Sequence, residues 1–138
     1  MTTKIKKTIK KESKFDYKSI KTFEDACQKT GIDSSSIPDL SSVPEEHRKP
    51  LFAAYKLMII YKAINNGWRP DWGNYNQWKY YPWFRVLSSG FGFSNSNYLY
   101  DYSITGVGAR LCTDSNEKAI YIAEQFKDLY QDYFLYSE

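Results

Sequence analysis

Between residues 68 and 100 the chain concentrates all four of its tryptophans and places 12 aromatic residues in 33 positions. Aromatic side chains favour the pleated, half-buried surface of a strand. Residues 68–112 divide accordingly into strand-like runs: Trp78 to Leu87, Phe91-Gly92-Phe93, Tyr98 to Ile104 with aromatic and polar residues alternating, and Val107 to Cys112. Ser88-Ser89-Gly90 and Ser94-Asn95-Ser96-Asn97 supply turn signals between them, so the simplest expectation is an antiparallel meander of three or four strands. Pro82 cannot donate to a ladder, which puts the first strand at an edge or gives it a bulge.

The flanks have helical character. Thr22 before Phe23-Glu24-Asp25 reads as an N-cap with acids in the first turn, and Gly31 as a stop, predicting a short helix over 23–30. Residues 32–43 are rich in turn formers and predict a loop pinned by Ile37 and Leu40. Ser42 stands at capping-box spacing from Glu45, opening a helix over about 44–66. Its second half, Leu51 to Ile64, is apolar around most of its circumference, so it should be buried on more than one side. Pro50 implies a kink or a later start, and Asn65-Asn66-Gly67 a left-handed ending. Asp114, three positions before Glu117, caps a last amphipathic helix over 115–134, with Ala119, Ile122, Ala123, Phe126, Leu129, Tyr130, Tyr133 and Phe134 on one face. Two N-terminal helices, a meander and a C-terminal helix packed on one sheet face define an α+β fold.

A chain of 138 residues has room for one core. The longest uncharged apolar run, Leu57 to Tyr61, is far too short to span a bilayer, and no apolar segment follows the basic start, so neither a membrane span nor an export signal is expected. Two cysteines without an export signal argue for a reducing, cytoplasmic setting. The net charge of +3 is unevenly spread. Residues 1–22 hold eight lysines, among them Lys6, Lys7, Lys10 and Lys11, against Glu12 and Asp16, a net +6, which leaves −3 on residues 23–138. The division expected is a basic arm over 1–22 and a single domain over 23–138. Such an arm either attaches to polyanions through counterion release or serves as a solvated tail.

Few residues suggest catalysis. His47, the single histidine, sits in the charged first turn Glu45-Glu46-His47-Arg48-Lys49, and no spacing gives it a partner. Cys27 and Cys112 read as buried small hydrophobes. One histidine and two cysteines do not reach the ligand count of a structural zinc site, and no acidic loop suggests calcium. Gly106-Val107-Gly108 leads into an apolar run without the lysine or third glycine of a phosphate-binding loop. No enzyme activity, metal or cofactor is expected.

The aromatic segment is the candidate site. From 68 to 100 the charges are Arg69, Lys79 and Arg85 against Asp71 alone. Arg69, Trp72, Trp78, Lys79, Tyr80, Trp83 and Arg85, with Lys6, Lys7, Lys10 and Lys11 of the arm, are the binding residues expected. Sheets presenting rings beside cations stack the bases of single-stranded nucleic acid. The same residue types dominate hot spots between proteins. They also fill cores, and all three readings stand at this level.

Several segments in order resemble a known group. These are the helix ending Asn65-Asn66-Gly67-Trp68-Arg69-Pro70-Asp71-Trp72, the run Lys79-Tyr80-Tyr81-Pro82-Trp83-Phe84, then Ser89-Gly90-Phe91-Gly92-Phe93-Ser94, Val107-Gly108-Ala109-Arg110-Leu111-Cys112, and Ala123-Glu124-Gln125-Phe126. As a set, over residues 22–134, they resemble a family of small, largely uncharacterised proteins of phages and prophages of Bacteroidetes bacteria. The resemblance implies a phage context and carries no catalytic residues. Ala109 stands where that family usually has Ser, which argues against a serine role there. The expectation is a non-enzymatic phage accessory protein that contacts single-stranded or nonspecific nucleic acid. The alternative is a protein-interaction role, as an inhibitor of a host defence factor or a small virion component.

Overall fold

The computed structural model describes residues 14–88, 90–99 and 106–136, with the backbone alone for 93–99. The arm lysines Lys6, Lys7, Lys10 and Lys11 lie outside the described residues.

Local signals place the first helix. The Thr22 hydroxyl accepts from the Asp25 amide at 3.1 Å while the Asp25 carboxylate accepts from the Thr22 amide at 3.1 Å, a reciprocal capping box that satisfies two otherwise orphaned donors. Helix α1, Phe23–Thr30, ends at Gly31 with φ 73°, a left-handed value glycine adopts freely. Ahead of it lies one 3₁₀ turn, Tyr17–Ser19. Phe15, Tyr17 and Ile20 pack against the core. The Tyr121 hydroxyl donates to the Ile20 carbonyl at 2.8 Å, and the Gln125 amide donates to the Lys21 carbonyl at 2.9 Å. From residue 15 onward, the lysine-rich stretch is therefore joined to the body.

Helix α2, Glu45–Asn65, is the central element. Its cap position is held by Pro44, which forms no side-chain cap, so the box expected between Ser42 and Glu45 is out of register by two residues. Glu45 and Glu46 still complement the positive end of the helix. The helix passes through Pro50 and forgoes one backbone bond there. Leu57, Ile59, Ile60, Tyr61, Ala63, Ile64 and Asn65 are all buried, so α2 is covered over more than half its circumference, as its composition requires. Asn66 (φ 47°) and Gly67 (φ 91°) terminate it.

The aromatic segment forms one hairpin. Strand β1, Lys79–Leu87, pairs antiparallel with β2, Gly90–Leu99, across residues 88 and 89. The register steps from Trp83 opposite Asn95 to Phe84 opposite Phe93, leaving residue 94 as an extra residue on β2, a bulge. Ser94-Asn95-Ser96-Asn97 is thus no turn. Cross-strand pairing satisfies its backbone in spite of its loop-like composition. The run over 107–112 is not a strand either. Gly108 (φ 70°) turns the chain, Leu111 and Cys112 are buried as loop anchors, and the ladder reduces to one bridge in which Thr113 and Tyr80 exchange bonds of 2.8 and 2.9 Å. Of the expected meander of three or four strands, the described residues form a two-stranded sheet, and the 107–112 run is not one of its strands. Most of the run expected at 98–104 lies outside the described residues.

The C-terminal region is two helices rather than one. The Ser115 hydroxyl, one residue beyond the expected Asp114, caps α3, Asn116–Gln125. Asp114 instead pairs with Lys118 at 2.8 Å. At Phe126 the backbone leaves helical values (φ −116°), and α4, Lys127–Phe134, sets off anew. The break leaves Ile122, Phe126 and Tyr130 in one core with α2. Phe84 of β1 stacks on Phe91 of β2 at 4.8 Å between centroids, and meets Tyr130 at 4.6 Å and Phe134 at 5.9 Å, which fixes the hairpin to α4. The buried hydroxyls of Tyr61 and Tyr130 hydrogen-bond to each other and tie α2 to α4. The protein is α+β.

Candidate functional site

Where α1 and α2 end, the loop that follows α2 and the turn at Ala109-Arg110 close around a cleft of about 900 Å³. That volume falls within the range of roughly 300–1,000 Å³ usual for ligand sites. Four cations line it: Lys29 from α1, Lys62 from α2, Arg69 from the loop and Arg110 from the turn, all exposed. No aspartate or glutamate lines it, and none of the four forms an ion pair among the described residues. Lys29 lies over the Phe15 ring at 4.3 Å.

Lysines in the last turn of a helix often do no more than offset the negative end of its dipole. Here the magnitudes decide. Two helix ends contribute about −1 in total against four full positive charges, so the cleft remains strongly positive. Trp68 and Trp72 line the same cleft, both half-buried, and bring flat apolar surface beside the cations. Asn65, the last residue of α2, lines it too. Its amide nitrogen donates to the Cys112 carbonyl at 2.9 Å.

The sequence-expected residues separate into three groups. Arg69 and Trp72 belong to the cleft. Trp83 and Arg85 are exposed on the hairpin, Trp83 at 53%, as are Val86 (60%) and Leu87 (57%) further along β1. Trp78, 46% exposed, and the half-buried Tyr80 meet at 6.3 Å at the start of β1. Lys79, expected among the surface cations, is instead fully buried. Its ammonium donates to the Gln77 carbonyl at 2.8 Å and the Asn74 carbonyl at 3.4 Å and lies 5.3 Å from the Trp72 ring. A buried charge survives only with such partners. Lys79 therefore organises the loop before β1 and supports the Trp72 wall. Sequence reasoning did not assemble Lys29, Lys62, Trp68 and Arg110, because they come from four separate segments that only the tertiary fold brings together.

The catalytic candidates do not converge. His47 is exposed, its Nε2 3.4 Å from Glu46, whereas Cys112 is fully buried. Burial pushes the Cys112 thiol up to about 11 although the Lys79 ammonium pulls it down, so the thiol is protonated at neutral pH and a poor nucleophile. Among the described residues no three His, Cys, Asp or Glu side chains gather as metal ligands. No helix among them is long and apolar enough to cross a membrane.

No protein-family model, curated protein or solved structure matches the chain. Function is therefore read from the geometry of the cleft and of the hairpin.

Proposed function

We propose that the protein is a non-enzymatic, phage-encoded accessory protein that binds single-stranded or nonspecific nucleic acid. One observation carries this reading: a cleft with four cations, two indole rings and no carboxylate. Phosphates of a strand neutralise the cations and release condensed counterions, and the rings offer stacking surface that tolerates any base. The lysines ahead of residue 14 add positive charge to the same chain. The test is titration of the full chain into a fluorescently labelled oligonucleotide at several salt concentrations. Micromolar or tighter binding that weakens steeply with salt is expected, and no measurable binding at low salt removes the reading.

The hairpin favours a second reading. Trp83, Val86 and Leu87 are exposed apolar side chains on one strand, of the kind found where proteins meet. In that case the protein acts on a protein partner, as an inhibitor of a host defence factor or as a small virion component. Its complexes would then depend little on salt and would be lost in Trp83→Ala.

A further inference from the structure

One polar atom of the core has no partner. Asn65 is 8% exposed, its Nδ2 is engaged by the Cys112 carbonyl, and its Oδ1 accepts no hydrogen bond among the described residues. Buried carbonyl oxygens are almost always paired, and an unpaired one in a ligand cleft marks a position where a donor is missing. Asn65 lines the cleft together with Trp68 and Trp72, beside Lys62 and Arg69.

We infer that the cleft admits one unpaired nucleobase of a strand, with Asn65 Oδ1 accepting from its pairing edge, an indole ring stacking on it and the cations holding the flanking phosphates. This rests on the nucleic-acid reading above and narrows it from polyanions in general to single strands. Each base carries at least one N–H donor on its pairing edge. In a duplex those donors are engaged with the complementary base, whereas in a single strand they are free to meet a protein acceptor. The acceptor therefore discriminates strand state and is indifferent to sequence, and stacking on an indole tolerates any base in the same way.

Asn65 Oδ1 is sealed from solvent, so insertion displaces a wall of the cleft. Trp68 is placed to move. It follows directly on Asn66 and Gly67, whose left-handed backbone ends α2, and its amide donates to the Asn65 carbonyl at 2.9 Å.

The experiment compares three probes with the full chain at one salt concentration: a 15-nucleotide single strand carrying a central 2-aminopurine, its blunt duplex, and an all-abasic oligomer of the same length. Binding to the single strand at least tenfold tighter than to the other two, with a change in 2-aminopurine fluorescence, is expected. Equal affinity for all three would overturn the inference and leave the broader polyanion reading standing, since the cations alone would then account for binding. No binding to any probe would overturn both. Displacement of the strand by micromolar AMP would also overturn it, because the site would then belong to a free nucleotide. Asn65→Leu is expected to abolish the preference for the single strand while keeping salt-dependent binding. Since that change also removes the bond to Cys112, Trp68→Ala serves as an independent check. It should lose about tenfold on the single strand and nothing on the abasic oligomer, and an equal loss on both would count against base insertion.

Discussion

The cleft and the hairpin both present aromatic rings to solvent, yet their surroundings differ in kind. Around Trp68 and Trp72 stand four cations. On the face of β1 that carries Trp83 the next residues are Arg85, a single cation, and the exposed Leu87. An exposed ring by itself therefore says little about a partner. What surrounds the ring decides, because a cation beside an indole favours a phosphorylated base, whereas an aliphatic group beside it favours another apolar surface.

Four substitutions or conditions separate the two regions, beginning with the largest effect. Phe84→Ala removes the ring that joins Phe91, Tyr130 and Phe134, and should destabilise the protein by about 3 kcal/mol, the low end for deleting a large aromatic from a core. Denaturant melts read the loss. If the two regions are independent, nucleic-acid affinity measured well below the melting point stays within a factor of two. Reversing Arg69 and Arg110 together to Glu should weaken strand binding by about a hundredfold, equivalent to about 2.7 kcal/mol. The slope of log K against log salt should fall by about 1.4 for the two lost phosphate contacts. Since both side chains are exposed, the melting temperature should hardly move.

The third concerns alkaline pH. Burial raises the Tyr61 and Tyr130 hydroxyls well above their ordinary value of about 10. Above about pH 10 the unfolded chain has released protons that the folded protein still holds, so stability falls as pH rises, by at most about 1.4 kcal/mol per pH unit for each hydroxyl. The contribution is complete below about pH 10 and disappears as pH climbs through the folded values. Urea melts at pH 8, 10 and 11 would show a level region and then a decline, and the double variant Tyr61→Phe, Tyr130→Phe should flatten it. The smallest effect is that of Trp83→Ala. The exposed ring should cost less than about 0.5 kcal/mol of stability, and strand affinity should be unchanged. Tenfold weaker strand binding in that variant would merge the two regions into one surface and defeat the contrast drawn between them.

What could be read from the sequence followed the range of the interactions. The cap at Thr22, the stops at Gly31 and Asn66-Gly67, and the wide burial of α2 rest on residues a few positions apart, and each was legible. The hairpin was legible at Ser88-Ser89-Gly90 and obscured at Ser94-Asn95-Ser96-Asn97, whose polar composition signals a loop although β1 supplies its partners. The 107–112 run misled in the opposite sense, because a short apolar run looks the same whether it is buried in a ladder or as a loop anchor. The site shows the same limit. Arg69 and Trp72 stood out for their local company, and so did Lys79. Yet a neighbouring carbonyl cluster draws the Lys79 ammonium inward, and no pattern of residue types announces that.

The bonds that hold the N-terminal segment also order events in time. Tyr121 and Gln125 reach back to the carbonyls of Ile20 and Lys21 across 101 and 104 positions of sequence. During synthesis these two contacts can close only after α3 has been made, so the segment ahead of α1 is held first by its packing against α2 and gains its tie to α3 later.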